Sequence, residues 1–187
     1  MQRQLFRRII RESIPALVIA ALIDVAAGTA LQLNMEIWVV IPVFLMLVPP
    51  VSDLGNDVAC IISSRITTLL ALGIIEPKLK RSEMLEENLI GMMIIGLLSS
   101  IYLGTLNFFI ANRAGLGSVQ IWSILLVSVI AVAMLTLLVS VISIGVAFLS
   151  WRRGLDPDNV TVPISTSVSD VLGIFCLLLA TRLVGLI

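Results

Sequence analysis

The fold of this chain is decided by one apolar stretch, VQIWSILLVSVIAVAMLTLLVSVISIGVAFLS, at residues 119–150. The stretch carries no charged residue and exceeds the roughly 20 residues that cross the hydrocarbon core of a bilayer. Backbone groups inside lipid must be satisfied internally, so only helices or a closed barrel can span a membrane. Because the stretch is continuously apolar and lacks the alternation of a barrel strand, it predicts a transmembrane helix.

The composition extends this prediction to the whole chain. Of its 187 residues, 59% are hydrophobic and 13% are charged, which is unlike an ordinary soluble domain. We therefore predict an all-α, polytopic membrane protein in contact with membrane lipid. We expect no nucleic acid partner, and twelve acidic residues balance twelve basic ones.

Five spans are expected, and the second is too long for one plain crossing. Pro42, Pro49, Pro50 and Gly55 fall within it and predict a kink or a break. Together the spans are expected to form a single transmembrane domain over residues 1–187. The expected spans cover residues 13–33, 37–75, 85–111, 119–150 and 160–187.

The distribution of basic residues predicts the orientation, because cytoplasmic loops are enriched in Lys and Arg. With the N-terminus inside, only Arg113 and Arg182 fall on the outer side. We therefore predict a cytoplasmic N-terminus and an external C-terminus. The inner residues are Arg3, Arg7, Arg8, Arg11, Lys78, Lys80, Arg81, Arg152 and Arg153.

The first twelve residues form a basic segment that resembles an amphipathic helix lying on the membrane surface. Leu5, Phe6, Ile9 and Ile10 would rest on lipid while the arginines face anionic headgroups. The alternative is a simple basic tail without a helix of its own.

Several metal chemistries are disfavoured by residue type. The chain has no histidine, and its two cysteines, Cys60 and Cys176, lie far apart in apolar stretches. Zinc, copper and iron–sulfur sites are therefore not expected. Any metal would have oxygen ligands, which favours Mg²⁺, Ca²⁺ or Mn²⁺.

Asp170 is the first candidate ligand, because a carboxylate inside a membrane span is costly and usually functional. Thr166 and Ser167 precede it by one turn, and Pro163 frees a backbone carbonyl near the start of the span. These groups are hard oxygen donors of the kind that Mg²⁺ prefers. The alternative is an Asp that is hydrogen-bonded to neighbouring helices.

Asp53 and Asp57 are the second candidates, because their i, i+4 spacing places both on one helical face. Two acids one turn apart repel unless a cation or a partner lies between them, and Asn56 adds another oxygen. Arg65 could neutralise one of them, but it lies about 12 Å along the axis from Asp57 in a straight helix.

Three other polar positions have more than one interpretation. Asp24, followed one turn later by Gly28, could line a pathway or belong to a small-residue helix contact. Asn107 is expected to make an interhelical hydrogen bond. The Asp158–Asn159 pair is expected to cap the fifth span, with attraction of cations as an alternative.

Two of these stretches resemble a known family. IPVFLMLVPPVSDLGNDVACIISSRITTLLALG at 41–73 and DPDNVTVPISTSVSDVLG at 156–173 are similar to the second and fifth membrane helices of the MgtE and solute carrier family 41 magnesium transporters. The resemblance implies a five-helix bundle that forms a pore by pairing two repeats. Since this chain has one repeat, it implies a homodimer. The second helix is more acidic here than the Gly-Asn pattern of MgtE.

The resemblance also implies roles for the candidate residues. Asp170 would be the pore carboxylate, present twice in the dimer, and carbonyls near Thr166 would help to hold a largely hydrated Mg²⁺. Asp53, Asn56 and Asp57 would line the same path. The expected metal set is therefore Asp170, Asp53, Asp57, Asn56, Thr166 and Asp24.

Transport of a divalent cation, Mg²⁺, is the function that these patterns favour. A Na⁺- or H⁺-coupled Mg²⁺ exchanger is the alternative within transport, and the sequence does not separate the two. A non-transporting membrane subunit is a further alternative. An intramembrane enzyme is disfavoured because the Gly-x-Gly-Asp motif of membrane aspartyl proteases is absent and the spacing of phosphatidyl-alcohol transferases does not fit.

Overall fold

The computed structural model describes residues 2–76, 83–116 and 119–186, and this part of the chain is helical without a strand. Five of its helical segments are long and apolar enough to cross a membrane, which confirms the predicted all-α fold with five spans. Lys78, Lys80 and Arg81, on which part of the predicted orientation depends, lie outside the described residues. The helices are α1 Gln2–Leu33, α2 Met35–Val40, α3 Pro42–Leu45, α4 Val48–Ala71, α5 Glu83–Arg113, α6 Ile121–Arg152 and α7 Pro157–Leu183.

The predicted second span is broken where proline interrupts it. Ile41 is extended, with φ −130° and ψ 74°, as expected for the residue before a proline, and α3 begins at Pro42. Pro49 and Pro50 lie in the first turn of α4, where a missing N–H costs no helical hydrogen bond. They therefore start a helix and do not kink one.

Residues 2–12 continue without interruption into the first span as part of α1. Phe6, Ile9 and Ile10 are exposed, as a lipid contact requires. The position of this segment on the membrane surface stays a prediction, because α1 is one helix through both regions.

The most apolar helix, α6, forms the centre of the bundle together with α7. It packs against α7, α5 and α4, while α1 packs mainly on α7, and α4 also packs on α7. Large apolar side chains of α1, such as Leu22 and Val25, are exposed. In a membrane protein these side chains face lipid, so α1 lies at the outside of this subunit.

The interface between α4 and α7 is a seam of small residues. A Cβ at Gly173 would lie 2.8 Å from the Oγ of Ser52, and a Cβ at Gly55 would clash with the Oγ of Ser169. The side chain of Leu135 in α6 also packs at this position, since its Cδ2 would lie 2.8 Å from a Cβ at Gly55. Small residues allow close backbone approach in membranes, where helices gain little from the hydrophobic effect.

Two polar side chains form hydrogen bonds with backbone groups near helix ends. Asn107 of α5 donates from Nδ2 to the carbonyl oxygen of Val43 at 2.9 Å, which confirms its predicted interhelical bond. At the start of α7 the N-cap is Asp156, whose carboxylate accepts from the Asp158 N–H at 3.2 Å. The prediction that Asp158 caps this helix is therefore wrong by two residues.

The beginning of α1 is tied to the α6–α7 turn by Glu12. Its Oε1 accepts from Arg8 Nε at 2.8 Å, and its Oε2 accepts from Asn159 Nδ2 at 3.0 Å and from the Asp156 N–H at 3.1 Å. Arg8 also donates from Nη2 to the carbonyl oxygen of Gly154 at 3.1 Å. The Glu12 side chain is only 7% exposed, so each carboxylate oxygen is held by protein donors.

Replacing Gly55 by alanine should lower the thermal stability of the purified protein. Overpacking costs roughly 1–3 kcal/mol, and the higher helix propensity of alanine offsets about 1 kcal/mol of it. Gly145→Ala in α6 is the matched control, because a Cβ there meets nothing within 4 Å. We expect a lower melting midpoint for Gly55→Ala and an unchanged or higher one for Gly145→Ala; equal midpoints would contradict a tight α4–α7 seam.

Replacing Glu12 by alanine should also destabilise the protein, because three donors lose their acceptor. At about 1 kcal/mol per hydrogen bond, discounted for the partial exposure of the partners, we expect a midpoint about 3–6 °C lower. Asp158→Ala is the control, since that carboxylate is exposed and lies in the same turn region. If both variants melt together with the wild type, Glu12 does not hold α1 to the α6–α7 turn.

Candidate functional site

The site is built around a hydrogen bond between α4 and α7. Asn56 donates from Nδ2 to Oδ1 of Asp170 at 3.2 Å, and both side chains are half-buried. Each residue directly follows a member of the small-residue seam, Gly55 in α4 and Ser169 in α7. The close approach of the two backbones therefore sets the distance between the amide and the carboxylate.

This pair lies at mid-membrane depth. Asp170 is thirteen residues from Pro157 and from Leu183, about 20 Å from either end of α7. Asn56 lies equally close to the middle of the span Pro42–Ala71. A charged group at this depth is unfavourable unless it faces a partner or water, which is why such residues are usually functional.

Two further carboxylates lie near Asp170. Asp24 of α1 and Asp53 of α4 are close enough to act on it electrostatically, and both are exposed on the surface of the subunit. In the described ranges none of these three carboxylates forms an ion pair. Acids from three helices thus create an uncompensated negative region where α1, α4 and α7 meet.

The other two candidates are less closely connected to Asp170. Asp57 is exposed one turn beyond Asp53, on the same face of a continuous α4, as its spacing predicts, and it has no hydrogen bond to the pair. Thr166 donates its hydroxyl to the carbonyl oxygen of Val162 at 3.0 Å or of Pro163 at 3.1 Å. Its hydrogen is therefore used within α7, although its oxygen keeps lone pairs for a ligand.

In the described part of this subunit the acids do not form a coordination shell for a bare ion. Among the described residues, no group of three acidic or cysteine side chains could hold a metal directly. An arrangement in which carboxylates attract an ion without surrounding it fits Mg²⁺, which dehydrates reluctantly and keeps several waters. One oxygen of Asp170, Oδ2, accepts no hydrogen bond in this part of the chain.

Asn56 acts on this arrangement as a positioning residue. Its own Oδ1 is buried and has no hydrogen-bond partner among the described residues. The amide therefore holds Asp170 through Nδ2, while its oxygen is shielded from solvent. The sequence predicts that Asn56 supplies an oxygen ligand. In the described structure its nitrogen instead donates the hydrogen bond to Asp170.

The residues that sequence reasoning missed are those of the seam. The sequence alone assigns no role to Ser52, Ser169 and Gly173, because they are small and uncharged. A signal was present, since Ser165, Ser169 and Gly173 follow each other at intervals of four, the small-residue spacing of close helix pairs. Glu12 was also missed, although its i, i+4 relation to Arg8 is visible in the sequence.

Comparison with known proteins identifies a family. A family model described as MgtE, divalent cation transporter, matches residues 48–180. The match begins with α4 and ends within α7, so it includes both Asn56 and Asp170. No curated protein matches the chain.

Proposed function

The chain belongs to the MgtE family of divalent cation transporters, and we propose that its substrate is Mg²⁺ and that Asp170 lies at the centre of the ion pathway. Its family and its five apolar spans identify a multi-pass membrane protein that transports divalent cations. The observation that carries the proposal is the position of Asp170. It is a carboxylate at mid-membrane depth, oriented by Asn56 and without an ion pair in the described part of the chain.

Electrostatic attraction at a distance would be the mechanism. Asp24 and Asp53 lie close to Asp170 without joining it in a coordination shell. A Mg²⁺ ion could therefore keep most of its waters and be stabilised by carboxylates that accept hydrogen bonds from those waters. Asp57 and Thr166 would extend the oxygen-rich path along α4 and α7.

A homodimer would complete this pathway. Asp24, Asp53 and Asp57 are exposed on a single subunit, where lipid contact would cost at least a few kcal/mol for each charge. A second copy placed over this face would turn the exposed acids into the wall of an enclosed, hydrated path and would contribute a second Asp170. Because the chain has one repeat, the partner would be another copy of itself.

The proposed topology places the N-terminus in the cytoplasm and the C-terminus outside. The excess of basic residues at the start of α1, in the α4–α5 connection and at the α6–α7 turn supports it. Residues 1–187 would then form one transport domain with a basic segment, residues 1–12, at the inner membrane surface.

Asp170→Asn should abolish most of the Mg²⁺ flux into liposomes that contain the purified protein. A charge-assisted interaction is worth about 1.5–3 kcal/mol, which corresponds to a loss of roughly 10- to 100-fold. Asp158→Asn is the matched control, since that carboxylate is exposed in the first turn of α7, and it should keep nearly normal flux. The flux is measured with a Mg²⁺ gradient alone, so a coupled exchanger would show little transport until Na⁺ or a proton gradient is added.

Asp24→Asn and Asp53→Asn should each have a smaller effect, roughly two- to fivefold, because those acids act on the ion from a greater distance. The same liposome assay measures them beside Asp170→Asn. Equal flux in the wild type and Asp170→Asn would make Asp170 a structural residue. A larger loss for Asp53→Asn than for Asp170→Asn would move the centre of the pathway to α4.

A further inference from the structure

A second polar feature lies in a groove between α4 and α5, away from the carboxylates. The helix α4 packs on α7 and α6, whereas α5 packs mainly on α6. The two helices touch each other little and leave a cavity of about 340 Å³ between the last turns of α4 and the first turns of α5. The described residues that line the cavity are one cation, three other polar residues and two apolar ones. Its lining residues are Ser64, Arg65, Thr68, Leu69, Met84 and Asn88.

Among the described residues that line this cavity, Arg65 alone is charged. It is exposed and donates from Nη1 to Oδ1 of Asn88 at 2.7 Å, while Asn88 donates from Nδ2 to the carbonyl oxygen of Met84 at 2.7 Å. Within the described residues the guanidinium has no carboxylate partner. Four of its five N–H donors are therefore available to an anion.

The depth of Arg65 corresponds to the headgroup region of a membrane. It lies six residues, or about 9 Å, before the end of α4 at Ala71. A long cationic side chain at this distance from a span end extends toward the interface and meets lipid phosphates there. An arginine guanidinium matches the geometry of a phosphate by forming two parallel hydrogen bonds.

On the side of the cavity toward the membrane centre, α4 and α5 each present an open apolar position. Ile61, one turn deeper on the same face of α4, is exposed, and Gly91 of α5 has no atom within 4 Å of where a Cβ would stand. This open surface has room for an acyl chain below a headgroup held at Arg65. A soluble phosphate would leave it uncovered.

We propose that the groove between α4 and α5 binds one anionic phospholipid, with its phosphate on Arg65 and an acyl chain along Ile61 and Gly91. The hydroxyl-bearing residues Ser64 and Thr68 provide a polar wall beside the headgroup, and Leu69 and Met84 provide the apolar one. Such a lipid would stabilise the contact between two helices that otherwise touch little. This assignment does not depend on which ion the protein transports.

The experiment is native mass spectrometry of the full chain released from membranes with equal amounts of phosphatidylglycerol and phosphatidylcholine. The wild type should retain phosphatidylglycerol in preference to phosphatidylcholine, and Arg65→Gln should reduce that preference roughly five- to tenfold. Arg113→Gln, at the other end of α5, is the matched control and should keep it. Arg7 and Arg11 attract anionic lipid in all variants, so the difference between Arg65→Gln and Arg113→Gln is the decisive comparison.

The Asn88→Ala variant tests whether Arg65 binds lipid or only forms a hydrogen bond between α4 and α5. It removes the 2.7 Å bond to Arg65 but keeps the charge, so it should retain at least half of the preference for phosphatidylglycerol. Loss of the preference in Asn88→Ala as complete as in Arg65→Gln would overturn the proposal, as would equal retention by Arg65→Gln and the wild type. Dissociation of a dimer in Arg65→Gln alone, visible in the same spectra, would show that a second copy occupies the groove and would also overturn it.

Discussion

The close approach of α4 and α7 is the constraint on which the rest of this structure depends. At Gly55 and Gly173 there is no room for a larger side chain, because a serine of the opposite helix occupies the space where a Cβ would stand. Within lipid the helices gain little from hydrophobic association, so tight packing must hold them together. Because Asn56 and Asp170 directly follow the seam residues, the same packing that stabilises the bundle also orients the carboxylate.

Two carboxylates of this protein show how environment determines role. Glu12 is surrounded by donors, with Arg8, Asn159 and a backbone N–H on its two oxygens, and it holds two parts of the chain together. Asp170 has one amide donor, and the nearest charges, on Asp24 and Asp53, repel it. Glu12 is thus neutralised within the subunit by Arg8 and its other donors, whereas Asp170 has no cationic partner among the described residues.

The sequence predicted local properties well. The five spans follow from the length and polarity of each stretch, and the break before Pro42 follows from the missing N–H and the restricted residue before proline. The Asn56–Asp170 bond joins residues 114 positions apart, and no local pattern brings an amide of one helix to a carboxylate of another. The choice of Asp158 as the cap was wrong by two residues because Pro157, which has no N–H, occupies the first helical position and leaves Asp156 at the N-cap.

The geometry of α4 explains why its acids and its arginine do not neutralise each other. Asp53 and Arg65 are twelve residues apart, so the helix separates them by about 18 Å along its axis and turns one away from the other by about 120°. Asn88 of α5 binds the guanidinium on one side of α4, and Asp24 of α1 approaches the acids on the other side. One helix thus presents a negative face to the site near α7 and a positive group to the groove near α5. The acids of α4 therefore have no ion-pair partner on their own helix, because α4 directs its only basic residue elsewhere.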